Sequence, residues 1–170
     1  MISMTWREVG DTSNWFKVKE GPLGFDQRIN VRVQGRYVTV YKRETLSCID
    51  AICHHAGGNL GDGPLRVVDI EDLSVTVVLC PLHRYMVAIE DGAKVFEGLE
   101  DMGGGKLGNP KMKKGKLVQM AHDCKEDRKG VYVRLNAAAI AQEDELSAKM
   151  YTSKICGRNL QMSGFEPQPC

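Results

Sequence analysis

Two short runs, Cys53-His54-His55-Ala56-Gly57-Gly58 and Cys80-Pro81-Leu82-His83, interrupt apolar, strand-like sequence, with 24 residues between His55 and Cys80. If the two loops fold against each other, each delivers one thiol and one imidazole to a common point. That demand constrains the chain before anything else does, because each loop needs strands on both sides to hold it in place. Three of the four histidines and two of the six cysteines fall inside these runs, so chance placement is a poor account of them.

A metal group held here would have two thiolates and two imidazoles, with Cys53, His55, Cys80 and His83 as the candidate ligands. Two chemistries use that set. A Cys2His2 zinc site usually takes two Cys from one pair and two His from the other, whereas both pairs here are mixed. A [2Fe–2S] centre with two Cys on one iron and two His on its twin can take one of each from each loop. The order of the residues favours the second. His55, rather than its neighbour His54, is taken as the donor, because Cys-x-His spacing lets both side chains turn toward one point. His54 is expected to face solvent or a contact surface.

The pattern Cys53-x-His55-x-Gly57-Gly58, Asp69-Ile70-Glu71-Asp72 and Cys80-Pro81-x-His83-x-Tyr85 resembles the soluble, stand-alone Rieske-type ferredoxins, from about Val31 to Leu135. The resemblance implies one [2Fe–2S] cluster per chain on an all-β fold of stacked antiparallel sheets. A small cluster-binding subdomain would put the imidazole edges at a solvent-facing tip. It implies a low-potential one-electron carrier, not an enzyme, working between a flavoprotein reductase and an acceptor such as an oxygenase. A redox or iron sensor that changes its protein contacts with cluster state is the alternative. High-potential Rieske proteins resemble this motif but carry an extra Cys in each loop, joined as a disulfide; the matching positions here are Gly58 and Leu82. They also place a Ser two residues and a Tyr four residues after the second His, where this chain has Tyr85 and Val87. Fewer hydrogen bonds to cluster sulfurs lower the potential, which is expected near the bottom of the range of about −150 to +300 mV. Tyr85 is read as a packing residue behind its loop.

The remaining residues narrow the function. A net charge of +1 over 170 residues gives no general polyanion-binding surface, so nucleic acid is not an expected partner. No apolar run reaches the length of a membrane span, and the segment from Met1 to Trp15 lacks a basic start and an apolar stretch, so no secretory signal is expected. A cytoplasmic monomer with free thiols at Cys48, Cys124, Cys156 and Cys170 follows as the expectation. With the cluster ligated, only His54 and His122 remain, too few for the two-His-one-carboxylate iron of an oxygenase among segments read as strand or loop. Gly103-Gly104-Gly105 sits in a lysine-rich stretch without a following helix, so it is not a nucleotide fingerprint.

The expected organisation is one domain over residues 1–136 and a tail over 137–170, partly helical or disordered, with helix-forming composition from Ala137 to Met150. Valines at 31, 33, 38 and 40 flank a Gln34-Gly35 turn and predict a hairpin. Leu46 to Ala51 and Val75 to Leu79 read as the strands that enter the two loops. Met86 to Ile89 and Ala93 to Phe96 form a second hairpin around Asp91-Gly92. Leu117 to Met120 and Val131 to Leu135 read as closing strands. The stretch from Gly103 to Lys116 reads as a mobile basic loop whose charge is most simply solvation, with steering of an acidic redox partner as the sharper alternative and Asn109-Pro110 as a counterpart of a Pro loop near the cluster. Four glycines from Gly57 to Gly63 are read as letting backbone amides approach the cluster sulfurs.

Overall fold

Alternating valines build the first hairpin as expected. β2 (Arg28–Val33) pairs antiparallel with β3 (Arg36–Lys42), in register from Arg28↔Tyr41 to Val33↔Arg36. Gln34 and Gly35 both have positive φ, 48° and 84°, the geometry whose twist matches paired strands. The computed structural model describes residues 14–136, so the expected helix at 137–150, the rest of the tail, Cys156 and Cys170 lie outside the described residues. Around the hairpin a six-stranded sheet forms in the order β1-β11-β10-β4-β3-β2, with β1 at Phe16–Glu20, β4 at Leu46–Asp50, β10 at Ala121–Asp127 and β11 at Gly130–Arg134. β3 is buried on both faces. Val38 and Val40 join a core with Val31, Val33, Val131 and Val133, while Tyr41 turns to a second core with Ile49, Cys53, Cys80 and Val87.

Everything from residue 51 to residue 120 is inserted between β4 and β10, which pair directly at Ile49↔Ala121 and Cys48↔His122. The insertion forms a five-stranded antiparallel sheet, β5 (Leu65–Ile70), β6 (Leu73–Leu79), β7 (Met86–Ala88), β8 (Ala93–Asp101) and β9 (Leu107–Leu117), in sequence order. A short 3-10 turn, Leu60–Asp62, precedes β5. Val68, Val75, Val77, Leu79, Ala88 and Val95 pack as this sheet's own core. Among the described residues no helix is long and apolar enough to cross a membrane. The described residues have an all-β architecture, as the sequence predicts.

Two expectations need correction. The basic stretch is not a loop: only residues 103–106 turn, and Leu107–Leu117 is the longest strand, paired with β8. Its Pro110 sits opposite Leu99 at the outer edge of the sheet, where a missing N–H breaks no ladder. Leu117 to Met120 is not a closing strand but mostly the connection between β9 and β10. β5, to which the sequence pattern assigned no element, meets β6 through a turn that holds Glu71 at φ 55°.

Candidate metal centre

The two loops are the same turn built twice. In the first, the Cys53 amide donates to Gly58 O at 2.8 Å and the Gly57 amide donates back to Cys53 O at 3.0 Å. In the second, the Cys80 amide donates to Tyr85 O at 2.8 Å and the Arg84 amide to Cys80 O at 2.8 Å. The residue four after each Cys has positive φ, 74° at Gly57 and 62° at Arg84. The amides two and three residues after each Cys, those of His55 and Ala56 and of Leu82 and His83, donate to its sulfur. A loop that points two N–H groups at a thiol favours the thiolate.

Cys53 and Cys80 are buried, 0% and 1% exposed, and their thiols hydrogen-bond to each other. They ionise as a pair. The contact with Cys53, aided by the amides of its own loop and opposed by burial, lowers the Cys80 pKa below that of an ordinary thiol. The same contact, with burial, keeps the proton on Cys53. His55 and His83 lie outside, both exposed, with ring centroids 4.8 Å apart and planes nearly perpendicular. Sulfur donors therefore face inward and nitrogen donors outward.

Tyr85 packs on the apolar core beside the cysteines, as expected, and also stacks on His55 at 4.3 Å with 26° between the rings. His54 departs from expectation. It is half-buried, edge-on to Tyr85 at 5.9 Å, and its Nδ1 is buried with no hydrogen-bond partner among the described residues. Burial first, then neighbouring His55 and the charges of Lys94 and Lys116, lower its pKa against an opposing hydrogen bond to Gln119.

Gln119 carries no signal in the sequence, yet it splints the first loop. Its Nε2 donates to Asp50 O at 3.0 Å and Ile52 O at 2.5 Å, and its Oε1 accepts from the His54 amide at 3.1 Å. It is itself fixed by the turn between β7 and β8, because the Val118 and Gln119 amides both donate to Gly92 O at 3.0 Å. Upstream, Asp50 accepts two bonds of 2.6 Å from the buried Arg36. It also accepts one from His122 Nε2 at 2.9 Å. Because His122 Nδ1 accepts the Asn136 amide, the ring proton lies on Nε2. Burial would raise the Asp50 carboxyl, but the His122 and Arg36 bonds hold it below its usual value.

The glycines act differently from expectation. Gly58 abuts a thiol: an added Cβ would stand 2.6 Å from Cys80 Sγ and 3.1 Å from Leu82 Cγ. Gly61 and Gly63 are small because Asn30 Oδ1 and Leu79 O press on them, at 2.0 and 2.2 Å from an added Cβ. Gly58 and Leu82, the positions matched above to an interloop disulfide, thus lie against each other. Among the described residues no three Cys, His, Asp or Glu side chains gather around a single point. The donors are two pairs, a sheltered dithiol with amide donors and two exposed imidazoles, and that chemistry fits a two-iron group.

A family model described as soluble Rieske-type ferredoxin matches residues 18–138. No protein among the curated sequences matches the chain. Among solved structures, the ferredoxin of carbazole 1,9a-dioxygenase from Nocardioides aromaticivorans IC177 is 21% identical over 71% of this chain and 98% of its own, with a TM-score of 0.46. A complex of reduced oxygenase and oxidized ferredoxin in carbazole 1,9a-dioxygenase aligns at 17% identity, over 72% of this chain and 94% of that one, with a TM-score of 0.49. Apo dicamba monooxygenase aligns at 14% identity over 75% of this chain but 35% of its own, with a TM-score of 0.47.

Proposed function

The chain belongs to the soluble Rieske-type ferredoxin family. From that premise we propose that Cys53, Cys80, His55 and His83 hold one [2Fe–2S] cluster, and that the protein carries single electrons from a flavoprotein reductase to an acceptor such as an oxygenase. The observation that carries the reading is the sorting of donors, with buried sulfurs paired inside and imidazoles paired at the surface.

When bound, such a group supplies reversible one-electron chemistry, with two Cys on one iron and two His on the other. The residues of this chain set its surroundings. The amides of His55, Ala56, Leu82 and His83 stabilise negative charge on the two sulfurs, and the apolar core around them excludes water. His55 and His83 present ring edges to a partner, so two protein surfaces can meet without opening the fold. Tyr85 braces His55 from beneath. Gly58 and Leu82 leave the loops without a covalent clamp, and Val87 supplies no hydroxyl, which supports a potential below zero.

The test is purification under iron-replete, anaerobic conditions, with iron, zinc and acid-labile sulfide measured beside absorption, electron paramagnetic resonance and a potential titration. Expected are two irons and two sulfides per chain, a rhombic reduced-state signal and a potential below zero. Cys53→Ala, His55→Ala, Cys80→Ala and His83→Ala should each lose the signal, while His54→Ala keeps it. Colourless protein containing zinc and no sulfide would overturn the reading, and loss with His54→Ala but not His55→Ala would overturn the ligand assignment.

A further inference from the structure

An unbroken line of contacts runs from the imidazole pair down the outer face of the β8–β9 hairpin. His83 meets His55, His55 stacks on Tyr85 at 4.3 Å, and Lys94 Nζ stands 5.2 Å from the Tyr85 ring and 5.7 Å from the Phe96 ring. Phe96 in turn lies over two glycines. An added Cβ would come within 3.3 Å of its ring at Gly98 and within 3.1 Å at Gly115, and Lys113 lies equally close to Gly98. Glycine weakens a strand and commonly marks the close approach of something else. Here it flattens the face around an exposed aromatic ring.

The charge of that face is not the charge of the molecule. Cross-strand register puts Lys113 opposite Phe96 and Lys111 opposite Gly98, on one side of the hairpin. From Ala93 to Leu117 the chain carries lysines at 94, 106, 111, 113, 114 and 116 against Glu97, Glu100 and Asp101, a local excess of three in a chain of net charge +1; Lys111 pairs with Glu100 and Lys114 with Asp91, both at 2.6 Å. Lysines on an edge strand also deter edge-to-edge pairing. That role asks nothing of the ring, the glycines or the continuity with the imidazoles.

Resting on the carrier reading above, we propose that the outer face of this hairpin is the partner-selecting half of the docking surface, and that it takes an acidic protein face. The exposed imidazoles make the contact, Phe96 supplies its apolar anchor, and Lys94, Lys111 and Lys113 set its sign. Opposite charge on the partner speeds encounter and orients it with its redox group over the tip.

The test uses isotope-labelled protein whose cluster has first been verified spectroscopically, so a missing cluster counts against the functional reading and not against this one. Amide spectra are followed as an acidic flavodoxin is added, at low salt and at about 0.5 M salt, where screening is nearly complete. Shifts should centre on Lys94, Phe96, Lys111 and Lys113 and extend to the loops. Lys111→Glu/Lys113→Glu should weaken binding by about tenfold at low salt, with the difference vanishing at high salt and the cluster spectrum unchanged. Shifts confined to the loops, binding on another face, an unweakened double variant, concentration-dependent shifts without flavodoxin, or binding only to phosphatidylserine vesicles would each overturn the proposal.

Discussion

Gln119 joins main chain on both sides of Cys53 to the second sheet, and no feature of the sequence distinguishes it from a surface glutamine. By contrast, Cys53, His55, Cys80 and His83 were readable as candidates because thiol and imidazole spacing is itself chemical information, whereas an amide splint is defined only by where its partners end up. Gln119→Leu leaves buried groups unpaired at about 1–3 kcal/mol each, so its urea midpoint should fall. Gln119→Glu should not rescue it, because a carboxylate would face the carbonyls of Asp50 and Ile52. A purely structural role would leave the potential and the reduced-state line shape of the folded fraction unchanged; a positioning role shifts both. Asp50 gives a pH prediction. Its carboxyl is held below the usual 3.8 in the folded state. Its contribution is therefore fully present above that value and is lost as pH falls through the lower folded one. Asp50→Ala removes the carboxylate that buried Arg36 and His122 both bond and should cost about 3–5 kcal/mol near neutrality, with a flatter acid limb when urea unfolding is repeated from pH 7 to pH 3.

At the scale of elements, the repeated loop explains what the sequence hides. Both turns need positive φ four residues after the Cys, but one supplies Gly57 and the other Arg84, so the repeat is invisible as letters. Arg84→Gly should therefore preserve stability, while Arg84→Val should cost about 1–3 kcal/mol for a β-branched residue held in that region, measured by thermal unfolding of the same preparations. The turn between β7 and β8 is stricter. Gly92 has φ 77° and an added Cβ would lie 2.0 Å from Gln119 O, so Gly92→Ala should destabilise by more than the φ strain alone and disturb the Gln119 splint with it. Strands with alternating valines, β2, β3 and β6, were legible. β9 was not, because LGNPKMKKGKL has the composition of a loop and becomes a strand only through its edge position beside β8. β10, AHDCKED, buries a histidine where a strand signal would need an aliphatic residue.

Over the whole molecule, residues 51–120 carry both loops and the second sheet, while the first sheet is completed by strands from both sides of that insertion. The core containing Cys53 and Cys80 also contains Tyr41 and Ile49 of the first sheet, so a bound group would tie the two sheets together. Cys53→Ser, which removes one donor at little change in volume, should therefore raise amide exchange mainly within 51–120 while β2, β3 and β11 stay protected. Equal loss of protection everywhere would show a single cooperative unit instead. The chain leaves the first sheet at Asp50 and returns at Ala121, where the Asp50 amide bonds Met120 O at 2.9 Å and Ile49 faces Ala121. Departure and arrival are so near that a tight reverse turn would seal the seam. The redox head is thus spliced into its host like a graft, free to diversify in length and charge while the stock beneath it keeps its hydrogen-bond ladder.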